Sequence, residues 1–150
     1  MRKMYIEFIE GMKHPAKHAD VSEDHKHFKD AGYVLTENDL IVDIDNLAKD
    51  VIQKMVTIFN VKTQIVWTDR GAHLYFKIPN GFRGSKKVTP LGMEVEYKHI
   101  KNTKQITIKR NGVLRDIENE GVREDLPNFL FSGKKLDSLL GLDEGDGRNQ

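Results

Sequence analysis

The residues of this chain best suited to chemistry are two aspartates, two glutamates and a histidine, spaced so that strands would present them together. In Asp39-Leu-Ile-Val-Asp-Ile-Asp45 the alternation sends Leu40, Val42 and Ile44 to one face of a strand, and Ile41, Asp43 and Asp45 to the other. Carboxylates two residues apart on a strand have Cα atoms roughly 6.5 Å apart, and they can converge on one divalent cation or on a pair about 3.5–4 Å apart. Ala72 to Ile78 alternates in the same way, with His73, Tyr75 and Lys77 opposite Ala72, Leu74, Phe76 and Ile78. Met93 to Lys98 places Glu94, Glu96 and Lys98 opposite Met93, Val95 and Tyr97. If these polar faces coincide, acids lie beside a histidine and a lysine, as a site for a metal-bound triphosphate requires.

The intervening elements must hold these strands in register. Asn46 is placed to cap a helix over 47–59, with Leu47, Val51, Met55, Ile58 and Phe59 at helical spacing. Residues 63–68 read as a strand, Thr68-Asp-Arg-Gly71 as its turn and 72–78 as the return strand. Tyr5, Phe8, Ile9 and Met12 predict an N-terminal helix over 4–12, which Pro15 ends, and 31–35 reads as a strand. Residues 79–87 form a basic loop that lacks the Gly-x4-Gly-Lys-Ser/Thr pattern of a phosphate cradle. Asn111-Gly112 is a hairpin turn between strands 105–109 and 113–117, because a type I′ turn needs positive φ at both positions. Residues 126–131 and 136–142 read as short helical or irregular packing pieces. The expected architecture is α+β: a mixed or antiparallel sheet of five to seven strands, with the helices on one face and the acids on the other.

Composition narrows the class. A chain of 150 residues suits one domain, expected over 1–142, with a polar Gly-rich tail over 143–150. No apolar run approaches the roughly 18 residues of a membrane span, and Glu7 and Glu10 break the stretch after the basic start, so the expectation is a cytoplasmic protein with no membrane partner. The absence of cysteine excludes disulfides and thiolate metal sites. The net charge of +1 conceals a segregation: residues 1–76 carry 10 basic and 12 acidic side chains, residues 77–115 carry 10 and 2, and residues 116–150 carry 4 and 9. A cationic block beside a carboxylate site suits a polyphosphate or a nucleic-acid backbone, although solvated hairpin charges account for it equally well. His14, His18, His25 and His27 cluster between residues 13 and 27. The His14-x3-His18 spacing matches a zinc pair, yet Pro15 lies inside it and no thiol completes a tetrahedron, so a polar segment at the mouth of the site is the expected role.

The motifs taken together resemble the archaeo-eukaryotic primase superfamily, in particular the primase-polymerase domains of phages, plasmids and mobile islands. Leu40 to Asp45 is similar to that family's apolar strand ending in Asp-x-Asp. Arg70-Gly-Ala-His73 looks like its Arg-Gly-x-His strand entry, and Glu96-Tyr-Lys98 like its third acid followed by a lysine, with Glu94 a rival for that acid. The resemblance runs from about Ala31 to Arg115. It departs from the family in having Glu for the commoner Asp as third acid, and Asp69 where a basic or small residue is common. Gly145 to Asn149 resembles the opening of a helical extension, which implies a domain of a longer replication protein.

What the resemblance implies is an RRM-like primase-polymerase catalytic core performing template-directed nucleotidyl transfer. Asp43, Asp45 and Glu96 or Glu94 would hold two Mg²⁺ or Mn²⁺ ions, and Arg70, His73, Lys98 and Lys77 would contact the incoming NTP or dNTP. Arg83, Lys86, Lys87, Lys101, Lys104, Lys109 and Arg110 would track a single-stranded DNA template and primer, and a helicase would be the partner. Two other readings keep some of these residues: a metal-dependent nuclease or phosphodiesterase, and a non-catalytic nucleic-acid-binding module.

Overall fold

Strand alternation governs nearly all of this chain. The computed structural model describes residues 3–131, of which 35% are strand and 8% helix. In chain order the elements are β1 (Tyr5–Glu7), β2 (Val21–Ser22), β3 (Ala31–Val34), β4 (Asp39–Ile44), α1 (Lys49–Ile58), β5 (Gln64–Trp67), β6 (Ala72–Lys77), β7 (Lys86–Val88), β8 (Glu94–Lys98), β9 (Gln105–Arg110), β10 (Val113–Leu114), β11 (Ile117–Glu118) and β12 (Glu124–Asp125). One sheet has the order β10-β9-β3-β1-β2. The other runs β11-β5-β6-β4-β8-β7, with β12 pairing parallel to the end of β6 and all other ladders antiparallel.

This overturns the expected α+β class and, with it, the primase-polymerase (RRM-like) core with helices packed on a sheet. A single helix, α1, is present among the described residues. It buries Ile52 and Met55 against Leu40, Val42, Ile44, Leu74 and Phe76 on one face of the larger sheet. The opposite face, expected to carry the acids, is partly roofed by the second sheet: Ile41, Val66 and Tyr75 pack against Tyr33, Ile106 and Ile108. The core therefore has two layers, and the acid-bearing face lies against the second of them.

Several local expectations change for identifiable reasons. The N-terminal segment is the strand β1, because its backbone pairs with both β2 and β3. Phe8 is buried where Gly32 has no side chain, since a Cβ on Gly32 would overlap the Phe8 ring. Ile9 and Met12 are left exposed, so the apparent helical stripe does not exist. Asn46 adopts a left-handed φ of 58° and Ala48 is the N-cap, without a side-chain cap hydrogen bond. The buried stripe of α1 is rotated from the expected one: Val51, Ile58 and Phe59 are exposed, and Phe59 stacks on Phe129 at 4.1 Å. The basic loop ends in β7, which pairs with β8. The Asn111-Gly112 turn has both φ values positive, but the strand after it divides: β10 stays with β9, and β11 crosses to pair with β5. The Leu136 to Leu142 piece and the 143–150 tail lie outside the described residues.

One buried ionic cluster joins the two sheets. Asp39 accepts hydrogen bonds from the Tyr33 hydroxyl at 2.6 Å and the Thr36 amide at 2.9 Å, and Arg123 Nε lies 3.3 Å from its other oxygen. The Arg123 guanidinium also covers the Tyr75 ring at 4.7 Å. Burial first, and then the Asp39 carboxylate, hold the Tyr33 hydroxyl above its ordinary range, so it stays a donor. Removing one partner of such a pair leaves the other charge buried. Arg123→Met is expected to cost about 3 kcal/mol of unfolding free energy, read from the urea midpoint at unchanged slope.

Candidate active site

The site is made by strand register. On β4, Asp43 pairs with His73 of β6 on one side and with Glu96 of β8 on the other. Paired residues in antiparallel strands have Cβ atoms about 4.5–5.5 Å apart and share a face, so the three side chains emerge side by side. His73 Nε2 is 3.4 Å from Asp43 Oδ1, and Lys98 Nζ is 3.5 Å from Asp43 Oδ2. The other ring nitrogen of His73, Nδ1, is buried without a hydrogen-bond partner. This favours the tautomer that carries its proton on Nε2, facing Asp43.

Asp45 lies just beyond β4, where the chain turns toward α1. Arg70 Nη2 donates to Asp45 Oδ2 at 2.8 Å, and the Asn46 amide donates to Asp45 Oδ1 at 3.0 Å. Gly71 makes this approach possible. A Cβ there would overlap the Ile44 carbonyl oxygen and lie 2.8 Å from the Ile44 carbonyl carbon. Only glycine lets the start of β6 run this close to the end of β4. The Leu47 amide also donates to the Arg70 carbonyl oxygen at 3.1 Å, tying the entry of α1 to the same turn.

Asp43, Asp45, Glu94 and Glu96 all line one cavity of about 690 Å³, together with Asn46, Leu47, Val51, Met55 and the 91–95 segment. Cavities of roughly 300–1,000 Å³ hold nucleotide-sized molecules. Among the described residues, however, no three His, Asp or Glu side chains converge as a ready-made metal cage. Instead Asp43 faces His73 and Lys98, and Asp45 faces Arg70.

Burial pushes the Asp43 carboxyl up, but the His73 and Lys98 side chains outweigh it and hold the group below its ordinary range. A carboxyl depressed in the folded state stabilises the fold above its unfolded pKa, and that stabilisation is lost as pH falls through the lower folded value. The unfolding free-energy difference between wild type and Asp43→Asn should therefore be constant near neutral pH and shrink below about pH 4. Urea titrations at stepped pH would read it, and a difference that grows in acid would contradict the arrangement.

Comparisons with protein-family models, with curated proteins and with solved structures found no match. Function must then be argued from the site itself.

The remaining sequence candidates are scattered. Lys77 is four residues along β6 from His73, about 13 Å, and pairs with Asp39 instead. Lys109 is buried, donating to the His25 carbonyl oxygen at 3.1 Å, so it offers no surface charge to a nucleic acid. Arg110 lines a separate cavity with Lys49, Trp67 and Arg115. Arg83, Lys86, Lys101 and Lys104 are exposed, with Lys86 3.8 Å from Glu94, and Lys87 covers the Phe131 ring at 4.4 Å. His18 lines another cavity, with Glu7, Asp20 and Asp30, away from the four acids, and His25 packs edge-on against Tyr5, so the histidine segment is not at the mouth of this site. Sequence reasoning missed the apolar cavity residues Val51 and Leu91. Pro90 and Gly92, residue types that favour a tight turn, were the available signal for Leu91.

Proposed function

We propose that this domain transfers nucleotidyl groups from a metal-bound nucleoside triphosphate to the 3′ end of a nucleic acid, as a primase or polymerase does. The observation that carries this reading is that four carboxylates, from β4, the turn after it and β8, line one cavity of about 690 Å³, with a histidine and a lysine beside the central acid. The order of the motifs, resembling that of the primase superfamily, supports it as well.

The donor set suits Mg²⁺ or Mn²⁺. Such hard ions prefer oxygen ligands, and Mg²⁺ usually takes only one or two protein carboxylates, completing its shell with water and substrate phosphates. Asp43 and Glu96, adjacent across the ladder, supply that number, with Asp45 and Glu94 on the same cavity for a second ion. The lack of a preformed three-ligand cage then accords with an ion that arrives with its nucleotide. When bound, the ions neutralise phosphate charge and make the attacking 3′-hydroxyl more acidic. The chain's own residues do the rest. His73 and Lys98 keep Asp43 ionised and oriented, and Arg70, exposed and paired with Asp45, would exchange that carboxylate for a phosphate oxygen.

The test offers a labelled primer on a single-stranded template with deoxynucleotides and Mn²⁺. Strand extension is the expected result. Shortening alone would transfer the same acids to nuclease chemistry, and binding without any change in strand length would leave a nucleic-acid-binding module.

A further inference from the structure

The helix α1 carries more apolar surface than the larger sheet covers. Val51, Met55, Ile58 and, at the C-cap, Phe59 recur at i, i+4, i+7 and i+8, one stripe along the helix. Of the four, Met55 alone is buried; Ile58 is 75% exposed, and Val51 and Phe59 are 44% and 43% exposed. Single exposed aliphatic side chains are ordinary, but a run of them continuous with the core marks a surface that something covers. The stripe leads to the end of the described chain. Phe59 stacks on Phe129 at 4.1 Å, and two residues later Phe131 packs against Phe82 and Tyr97 at ring distances of 5.0 and 5.5 Å. Phe131 is the last described residue.

We propose that the Leu136 to Leu142 segment of the same chain folds back onto this stripe. Its pattern fits: Leu136, Leu139 and Leu140 recur at i, i+3 and i+4, which in a helix gives one apolar side. Its reach fits as well. The five residues from Phe131 to Leu136 extend up to about 17 Å, whereas the stripe from Phe59 back to Val51 spans about 12 Å of helix. Charge agrees with both. Residues 136–146 carry four acids and no lysine or arginine. Lys54, three residues after Val51 and four before Ile58, borders the stripe and has no ion-pair partner among the described residues. A tether this short holds the segment at an effective concentration of about millimolar, which a second copy or a separate protein seldom reaches, so a modest apolar contact suffices. The docking does not depend on the nucleotidyl-transfer reading.

Because the chain has no cysteine, introduced thiols report on it without interference. In the full chain, Ile58→Cys is combined in turn with Leu136→Cys, Leu139→Cys and Leu140→Cys, and disulfide formation under diamide is followed by mass spectrometry. The controls pair the same three substitutions with Gln53→Cys, on the opposite, exposed side of α1. At least one Ile58 pair should close within the monomer at least about tenfold faster than its Gln53 control. Equal rates in all three comparisons, or disulfides that join two chains instead, would overturn the docking, the second result assigning the stripe to another copy. A second reading needs no cross-link. With Ile58→Cys alone, maleimide labelling should be at least about fivefold slower than with Gln53→Cys, and adding Leu139→Asp and Leu140→Asp should abolish that protection. Both sites on α1 are exposed, so these substitutions leave the fold intact. Labelling as fast at position 58 as at position 53 would contradict a covered stripe.

Discussion

Asp43→Asn is expected to leave a folded protein that extends a primer about 10³-fold more slowly than wild type. Asp43 is the residue on which the register converges, paired with His73 and Glu96 and approached by Lys98. The amide keeps the size and shape of the side chain but removes the charge that would attract a divalent ion. It also leaves the Lys98 ammonium facing a group that cannot neutralise it. Because the Lys98 side chain left without its charge partner is 30% exposed and reaches water, and the amide oxygen can still accept a hydrogen bond, the loss of stability should be only about 1 kcal/mol. Template affinity, which the exposed Arg83, Lys101 and Lys104 would supply, should change little. Primer extension and filter binding on the same preparation separate the two effects. A variant that loses its fold outright would identify Asp43 as a structural carboxylate and remove the main support for catalysis.

The second large effect is expected at a residue that carries no chemistry. Gly71→Ala should destabilise the domain by about 4–5 kcal/mol, a large share of the stability of a domain this size. The new methyl group would overlap the backbone of Ile44 and lie 3.2 Å from the Asp45 Cα, where no flexible side chain can yield. Relief requires the start of β6 to withdraw from β4, which separates Arg70 from Asp45 and shifts the His73 to Asp43 register. Activity should therefore fall even under conditions in which the variant remains folded. Urea unfolding and the extension assay at low temperature read the two parts. A variant of wild-type stability would mean that the close approach at Ile44 does not hold β6 in place.

The three strands that carry the candidate site were easier to read from the sequence than the fold around them. Strict alternation in Asp39–Ile44, Ala72–Lys77 and Glu94–Lys98 gives strands whose polar faces can be assigned residue by residue, and these three strands lie next to one another. The roof over that face was not legible, because it depends on pairings between distant segments such as β3 with β9. Tyr5, Phe8, Ile9 and Met12 mimic a helical stripe, and only the partners of β1 show that the segment is extended. The cluster at Asp39 was hidden for the same reason: its cation, Arg123, is 84 residues away. Within α1, the period of the apolar residues was visible but its phase was not. Ile52 took the buried position and left Val51 for the cavity.

A crystal of this domain grown with Mn²⁺ and a non-hydrolysable deoxynucleoside triphosphate, measured at the manganese absorption edge, bears most directly on the assignment. The expected result is an anomalous peak within about 2.0–2.3 Å of oxygen atoms of Asp43 and of Glu96 or Glu94, bridged to the triphosphate. A nucleotide bound elsewhere, with Asp43 still held by His73 and Lys98 and no metal at its carboxylate, would contradict it.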